Sequence, residues 1–338
     1  MISKSTVLAT LEELKIPETP YKLKELRLIR DLKVENDTVI VVLSSGALPP
    51  EIFKRLEASV KQALEHQSGV DRIEINRAEN KPSELNRIKN VVAVMSGKGG
   101  VGKSTISSLL AVSLQRLGYS VGILDADITG PSIPKLFGIS GKPLGSEKGI
   151  IPLSSGTLIR IMSINLVLNS DSDSVIWRGP LISKAIGQFW EDVLWGELDY
   201  LIVDLPPGTS DAALTAMQQI PLTAVLMVTT PQALAGLIVR KAMDMTQKME
   251  IPVLGLAENM AFFPNPTTGE AIEIFGRSQA GEILKMFKLP LIIRLPIDPK
   301  LAELCDAGKI EHYSSDAINN IGTAVVERLA ALKDGKGQ

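Results

Sequence analysis

This sequence predicts an α/β fold, a mostly parallel sheet covered by helices on both faces and preceded by a small α+β domain. Three observations predict it. From Val91 onward, short apolar runs alternate with stretches of helical apolar spacing, the pattern of repeated strand-helix units. One run, Val91 to Met95, stops at Gly97-Lys98-Gly99-Gly100-Val101-Gly102-Lys103-Ser104 and leads into a helical stretch. Ahead of it, residues 1–76 read as helix, two strands, helix and strand, an order that suits a separate small unit.

At 338 residues the chain is long enough for two cores. Its 45% hydrophobic and 22% charged residues describe an ordinary globular composition, and a net charge of -2 gives no general pull toward nucleic acid or anionic membrane. The first twenty residues contain no uninterrupted apolar core of a signal peptide. No run elsewhere approaches the ~18 apolar residues of a membrane span. A cytoplasmic protein without nucleic-acid partners or stable membrane association is expected. Cys305 is the single cysteine, which excludes an intrachain disulfide and a tetrathiolate site within one chain.

In the first unit, Ser5 to Leu14 carries Val7, Leu8, Leu11 and Leu14 at helical spacing. Leu26 to Val34 and Thr38 to Leu43 read as a hairpin turned by Glu35-Asn36-Asp37. Pro49 and Pro50 open a helix with the stripe Ile52, Leu56, Val60 and Leu64, and Val70 to Ile75 alternates as a strand. The polar stretch 77–90 reads as a linker, 91–332 as the second domain and 333–338 as a tail. Strands of that domain are expected at Val91 to Met95, Val121 to Leu124, Leu201 to Val203, Ala224 to Val228, Val253 to Leu256 and Leu291 to Leu295. The stripe Ile318, Ile321, Val325, Val326, Leu329 and Leu332 has too few neighbouring cations for a membrane-surface helix and is read as core.

Gly97 to Ser104 fits the phosphate-cradling pattern at every specified position, after a buried strand and before a helix running from Lys103 to about Leu117. Glycines let successive backbone N–H groups turn toward an anion, and the helix adds the positive end of its dipole. Lys103 is then placed to bridge the β- and γ-phosphates and Ser104 to ligate Mg²⁺. The domain is therefore expected to be a P-loop NTPase. Asp125 and Asp127 follow the next apolar run, where buried carboxylates are costly unless a cation, water or backbone donor satisfies them. Asp204 ends Leu201-Ile202-Val203 at the usual position of an acidic residue acting on Mg²⁺. Gly208, behind Pro206 and Pro207, is expected to bring a backbone N–H to the γ-phosphate, and Asp211 to cap a helix starting at Ala212.

Lys98 is not required by the generic loop. With it, GKGGVGK resembles the deviant P-loop ATPases of the MinD/ParA/nitrogenase-iron-protein class, whose extra lysine reaches the partner's ATP; the resemblance implies an ATP-sandwich homodimer. In that class the residue matching Asp127 orients the attacking water and the one matching Asp125 helps hold the Mg²⁺ shell. SGKGGVGKS, DADITGPSIPKLFG, WRGP at Trp177 to Pro180, DLPPGTSD and ENM at Glu258 to Met260 occur in this order, a combination that resembles the Mrp/ApbC iron-sulfur carrier ATPases. The likeness spans about Val91 to Leu332 and implies adenine recognition by Asn259, whose amide donates and accepts at once. The arrangement of residues 1–76 resembles, more weakly, the iron-sulfur assembly domain found in front of such ATPases.

The chain departs from that family in its sulfur. Where members often carry Cys-x-x-Cys it has Asn265 and Thr268, and the loop Leu43 to Pro50 has no cysteine. Neither residue type is a good ligand to iron in a sulfide cluster. Cys305, among leucines, reads as a small core residue rather than a ligand. His66 and His312 are single and give no metal site, and Trp177, Trp190 and Trp195 are read as packing. The expectation is a Mg²⁺-dependent ATPase, turning ATP and water into ADP and phosphate, in which Lys98, Lys103 and Asp127 act on the reaction, homodimeric, that delivers iron-sulfur clusters to client or assembly proteins. The alternative is an ATP-dependent dimeric switch or scaffold that recruits partners without carrying a cluster.

Overall fold

The computed structural model describes residues 3–67, 69–128, 130–167 and 179–335, arranged as two compact units. The first takes Met1–Ile88 together with two segments from later in the chain, Lys142–Leu153 and Gln188–Leu198. Helix α1 (Lys4–Glu12) starts where the Ser3 hydroxyl accepts the Thr6 N–H. Strands β1 (Ile29–Glu35) and β2 (Thr38–Ser44) form an antiparallel hairpin turned at Asn36, φ 55°. Helix α2 (Pro50–Glu65) carries proline in its first turn and buries Ile52, Phe53, Leu56, Val60 and Leu64. Strand β3 (Arg72–Ala78) then pairs parallel to β2, giving the order β1-β2-β3. Val39, Val41 and Leu43 alternate into the core.

Two features differ from the sequence reading. Strand β3 runs on to Ala78, a helical turn occupies Pro82–Leu85, and the next strand begins at Arg87, so most of 77–90 is regular structure. The apolar pattern misses this because β3 is an edge strand whose last residues, Asn76 and Arg77, are polar outward and pair through the backbone with Val42 and Leu43. In addition, 142–153 and 188–198, assigned from sequence to the second domain, group with the first unit. Ile151 and Leu194 lie in its core, Tyr21 donates its hydroxyl to the Pro152 carbonyl at 3.0 Å, and the Leu194 N–H donates to Ile150 at 2.8 Å.

The second unit is built on an eight-stranded sheet. In chain order its elements are β4 (Arg87–Ser96), α3 (Lys103–Arg116), β5 (Val121–Asp125), β6 (Leu153–Ser154), β7 (Arg160–Ser163), α4 (Gly179–Glu191), β8 (Glu197–Asp204), α5 (Asp211–Gln219), β9 (Ala224–Thr229), α6 (Ala233–Lys248), β10 (Val253–Glu258), α7 (Ala280–Phe287), β11 (Leu291–Arg294), α8 (Pro299–Asp306) and α9 (Asp316–Lys333). The sheet order is β11-β10-β9-β4-β8-β5-β7-β6. Strands β11, β10, β9 and β4 run parallel, with a register shift in each of the β9–β10 and β10–β11 pairings, and β8, β5 and β7 run parallel as well. All six strands expected from the apolar runs are present, and β6 and β7 are additional. The Arg160 side chain, 4% exposed, interrupts the apolar run that forms β7 and hides it from the pattern.

Helix α9 lays Ile318, Ile321, Val325 and Leu329 into the core against α3. Gly322 permits the approach: its N–H donates to the Ser113 hydroxyl at 3.0 Å, and a Cβ there would stand 2.6 Å from that oxygen. The C-terminal stripe is thus a packing face. Among the described residues no helix is long and apolar enough to cross a membrane. Trp195 is fully buried and Trp190 half-buried, whereas Trp177 and Arg178 lie outside the described residues.

Candidate active site

The carboxyl ends of β4, β5, β8 and β9 bring the sequence-selected residues together at the turn between β4 and α3. Gly100 and Gly102 take φ of +79° and +80°, which carries the chain round from the strand into the helix. Gly102 is needed for a second reason. A Cβ there would come 2.1 Å from Asn259 Nδ2, the atom that donates to the Val101 carbonyl at 2.9 Å. Asn259 follows β10, has its backbone N–H on Thr229 at 2.9 Å, and is 7% exposed. One of its two amide N–H donors is therefore engaged with the loop itself. Beside it, Glu258 is fully buried and accepts from Arg294 at 2.7 Å and from Ser278, bracing the segment that carries Asn259.

Lys103 opens α3 and is 5% exposed. Its ammonium lies 2.7 Å from Asp204 Oδ2 and 3.7 Å from Asp127 Oδ2. Asp204, at the end of β8 and fully buried, also accepts from Ser104 Oγ on Oδ2 at 2.5 Å and from Ser107 Oγ on Oδ1 at 2.6 Å. A buried charge of this kind is tolerated because charge-assisted hydrogen bonds satisfy it on both oxygens. Its neighbour Asp125 is satisfied otherwise. Oδ1 accepts the Asp127 N–H at 3.2 Å, and Oδ2 accepts the Ser132 and Ile133 N–H groups at 3.0 and 3.2 Å and the Ser163 hydroxyl at 3.2 Å. Burial pushes the Asp125 carboxyl up to about 7, the charge of Asp204 adding to that and Lys103 opposing it. The Asp125 side chain thereby fixes the turn that presents Asp127.

Lys98 leaves this cluster. Its ammonium donates to the side-chain amide oxygen of Gln232 just before α6, and its own backbone carbonyl accepts the Ser96 hydroxyl at 3.0 Å. The Gly208 N–H donates to the Ser96 carbonyl at 2.9 Å, tying the Pro206-Pro207-Gly208 turn to the base of the loop. The helix after it starts one residue earlier than expected. Ser210, extended at φ -75° and ψ 162°, is the capping residue, and Asp211 is the first helical residue.

Oxygen donors only, the Ser104 hydroxyl and the Asp204 carboxylate, meet beside the lysine. This donor set suits a hard cation such as Mg²⁺ and no soft metal. For iron the structure offers less. Among the described residues there is no group of three or more His, Cys, Asp or Glu that could hold a metal ion. Asn265 is committed to a turn, its side-chain oxygen accepting the Thr267 and Thr268 N–H groups at 2.9 and 3.3 Å. Cys305 is half-buried on α8, and burial followed by the nearby Asp306 raises its thiol above the ordinary range.

Sequence reasoning missed three residues of the site. Ser107 stands one helical turn after Lys103, on the same face, and that spacing was a usable signal. Gln232 follows the strand beside β4 at the sheet's carboxyl edge, and only topology reveals it. Ser163 ends β7, a strand the apolar pattern did not show.

Residues 87–330 match the family described as the ParA-type NUBPL iron-transfer P-loop NTPases, and residues 4–75 match the iron-sulfur cluster assembly protein family. An iron-sulfur cluster carrier protein of Clostridium perfringens is 43% identical over 237 residues, covering 68% of this chain and 83% of its own length. One from Synechocystis is 36% identical over 323 residues, covering 91% of both. Among solved structures, a nucleotide-binding protein from Archaeoglobus fulgidus in complex with ADP has 44% identity and a TM-score of 0.63, covering 70% of this chain and 93% of that one.

Proposed function

The chain belongs to the ParA/NUBPL iron-transfer P-loop NTPases, with the Mrp/ApbC carriers, and from that premise we propose that it hydrolyses ATP as a Mg²⁺-dependent homodimer serving iron-sulfur cluster delivery or assembly. The observation that carries the reading is the convergence of Lys103 and Ser104 on Asp204, at 2.7 and 2.5 Å. The ADP bound by the Archaeoglobus relative supports an adenine nucleotide as ligand.

In this reading the backbone N–H groups of Gly97, Gly99, Gly100, Val101, Gly102, Lys103 and Ser104 take the phosphate oxygens, while Lys103 exchanges Asp204 for the β- and γ-phosphates. Ser104 and Asp204 would hold Mg²⁺, which would neutralise phosphate charge when bound. Asp125 contributes by keeping Asp127 at the mouth of the site, and Asp127 accepts a hydrogen bond from the water that attacks the γ-phosphorus. As that phosphorus bonds to the water oxygen, its bond to the β–γ bridging oxygen breaks, the electron pair leaves with ADP, and the proton shed by the water passes to solvent, leaving inorganic phosphate. The Gly208 N–H, held by Ser96 without nucleotide, turns to the γ-phosphate, and Asn259 reads the adenine edge. Lys98 leaves Gln232 for the nucleotide of the second copy, closing the dimer.

Phosphate release by wild type and a Lys103→Ala variant tests this directly. Wild type is expected to turn over ATP only with Mg²⁺, and the variant to lose at least about 100-fold. Retained turnover in the variant would overturn the site assignment.

A second reading has its own support. With one cysteine in the chain and Asn265 and Thr268 occupied in a turn, cargo held on the chain's own thiolates is disfavoured, and an ATP-dependent switch or scaffold that leaves the cluster to its partners fits as well. Anaerobic reconstitution with iron and sulfide separates the two. A visible absorption band lost in Cys305→Ala favours carriage, and a colourless protein favours the scaffold.

A further inference from the structure

Three donors reach the Asp204 carboxylate, and two of them are wanted elsewhere once nucleotide binds. Lys103 and Ser104 share Oδ2, and in the function proposed above both turn to the phosphates and the metal. Among the described residues Ser107 alone is on Oδ1, at 2.6 Å. Its side chain is fully buried in α3, out of reach of solvent. The hydroxyl has one proton to give and two oxygens near it, the Asp204 carboxylate and the Lys103 carbonyl at 3.1 Å. The carboxylate is both nearer and charged, so it receives the proton.

We propose that Ser107 is the positioning residue of the Mg²⁺ site, holding Asp204 by Oδ1 so that Oδ2 faces Ser104 in the empty and the loaded protein alike. Without it, Asp204 would lose its last side-chain donor as Lys103 departs, and a buried carboxylate so freed would turn toward whatever donor remained. The inference rests on the reading of Asp204 as the metal-side carboxylate. Ser108, the next residue, supplies the internal comparison: it is equally buried on the same helix, and its hydroxyl has no hydrogen-bond partner.

The test is calorimetric titration with ADP, once with Mg²⁺ and once with EDTA, the quantity read being the ratio of the two affinities. Ser107→Ala is expected to reduce that ratio about tenfold, the size of one hydrogen bond to a charged group, while leaving the affinity in EDTA within about twofold. Ser107→Thr keeps the hydroxyl and is expected to restore the ratio. Ser107→Cys, close in volume and a weak donor, is expected to behave as the alanine variant and carries the test if that variant does not fold. Ser108→Ala should match wild type. A wild-type ratio in Ser107→Ala or Ser107→Cys overturns the proposal, as does an equal loss in Ser108→Ala. Absence of any Mg²⁺ effect in the wild type would overturn instead the reading of the site on which it rests.

Discussion

At the scale of single residues, the loop is shaped as much by what Gly102 lacks as by what Lys103 carries. A methyl group at Gly102 would combine a strained positive φ with a collision against Asn259 Nδ2. Gly102→Ala is therefore expected to cost about 1–3 kcal/mol of stability and at least about tenfold in ADP affinity, read by denaturant unfolding and by titration calorimetry. A second residue prediction concerns Cys305. Because burial raises its thiol, the fraction ionised at neutral pH is small, and the rate of alkylation by iodoacetamide should be slow at pH 7 and climb about tenfold per pH unit well past the ordinary thiol range. A rate that levels off near pH 8 would contradict that placement. Residue chemistry is also where the sequence was most legible. Gly97 to Ser104, Asp125, Asp127 and Asp204 were readable because each ends or closely follows an apolar strand, and the structure gathers them at one edge of one sheet. Ser107 and Gln232 were not singled out, because a serine inside a helix and a glutamine after a proline have many roles and only their partners distinguish them.

At the scale of elements, long apolar runs were informative and short polar strands were not. Strands β4, β5, β8, β9 and β10 each follow from consecutive buried residues, and β11 from an apolar run of which Ile293 is the buried member. Strand β7 and the end of β3 owe their conformation to backbone pairing with neighbours distant in sequence, which no local pattern records, and the two-residue β6 is only an edge beside β7. The C-terminal helix shows the complementary case, where periodicity foretold the buried face of α9 but not the tightness of its seat on α3. Gly322→Val would drive a branched side chain into Ser113 and Leu117. It is expected to cost about 1–3 kcal/mol, lowering the urea midpoint while leaving the nucleotide loop's affinity within about twofold. Loss of nucleotide binding without loss of stability would mean that α9 acts on the site and not only on the core.

At the scale of the whole molecule, the division into two units does not follow the order of the chain. The first unit draws Lys142–Leu153 and Gln188–Leu198 into the core begun by Met1–Ile88, and this was illegible in sequence because Ile151 and Leu194 look like any other apolar residues of an α/β domain. Residues 1–88 produced alone would leave the partners of Ile151 and Leu194 open to water. That fragment is expected to unfold at lower denaturant than the same unit in the full chain and to bind a hydrophobic dye, measured by circular dichroism and fluorescence. A fragment as stable as the parent unit would show that the later segments are accessory. The same arrangement sets an order on synthesis. Between Ile88 and Leu198 roughly a hundred residues must be added, on the order of 5–20 s at typical elongation rates, so the unit begun by the earlier part of the chain waits for that stretch before its core can close.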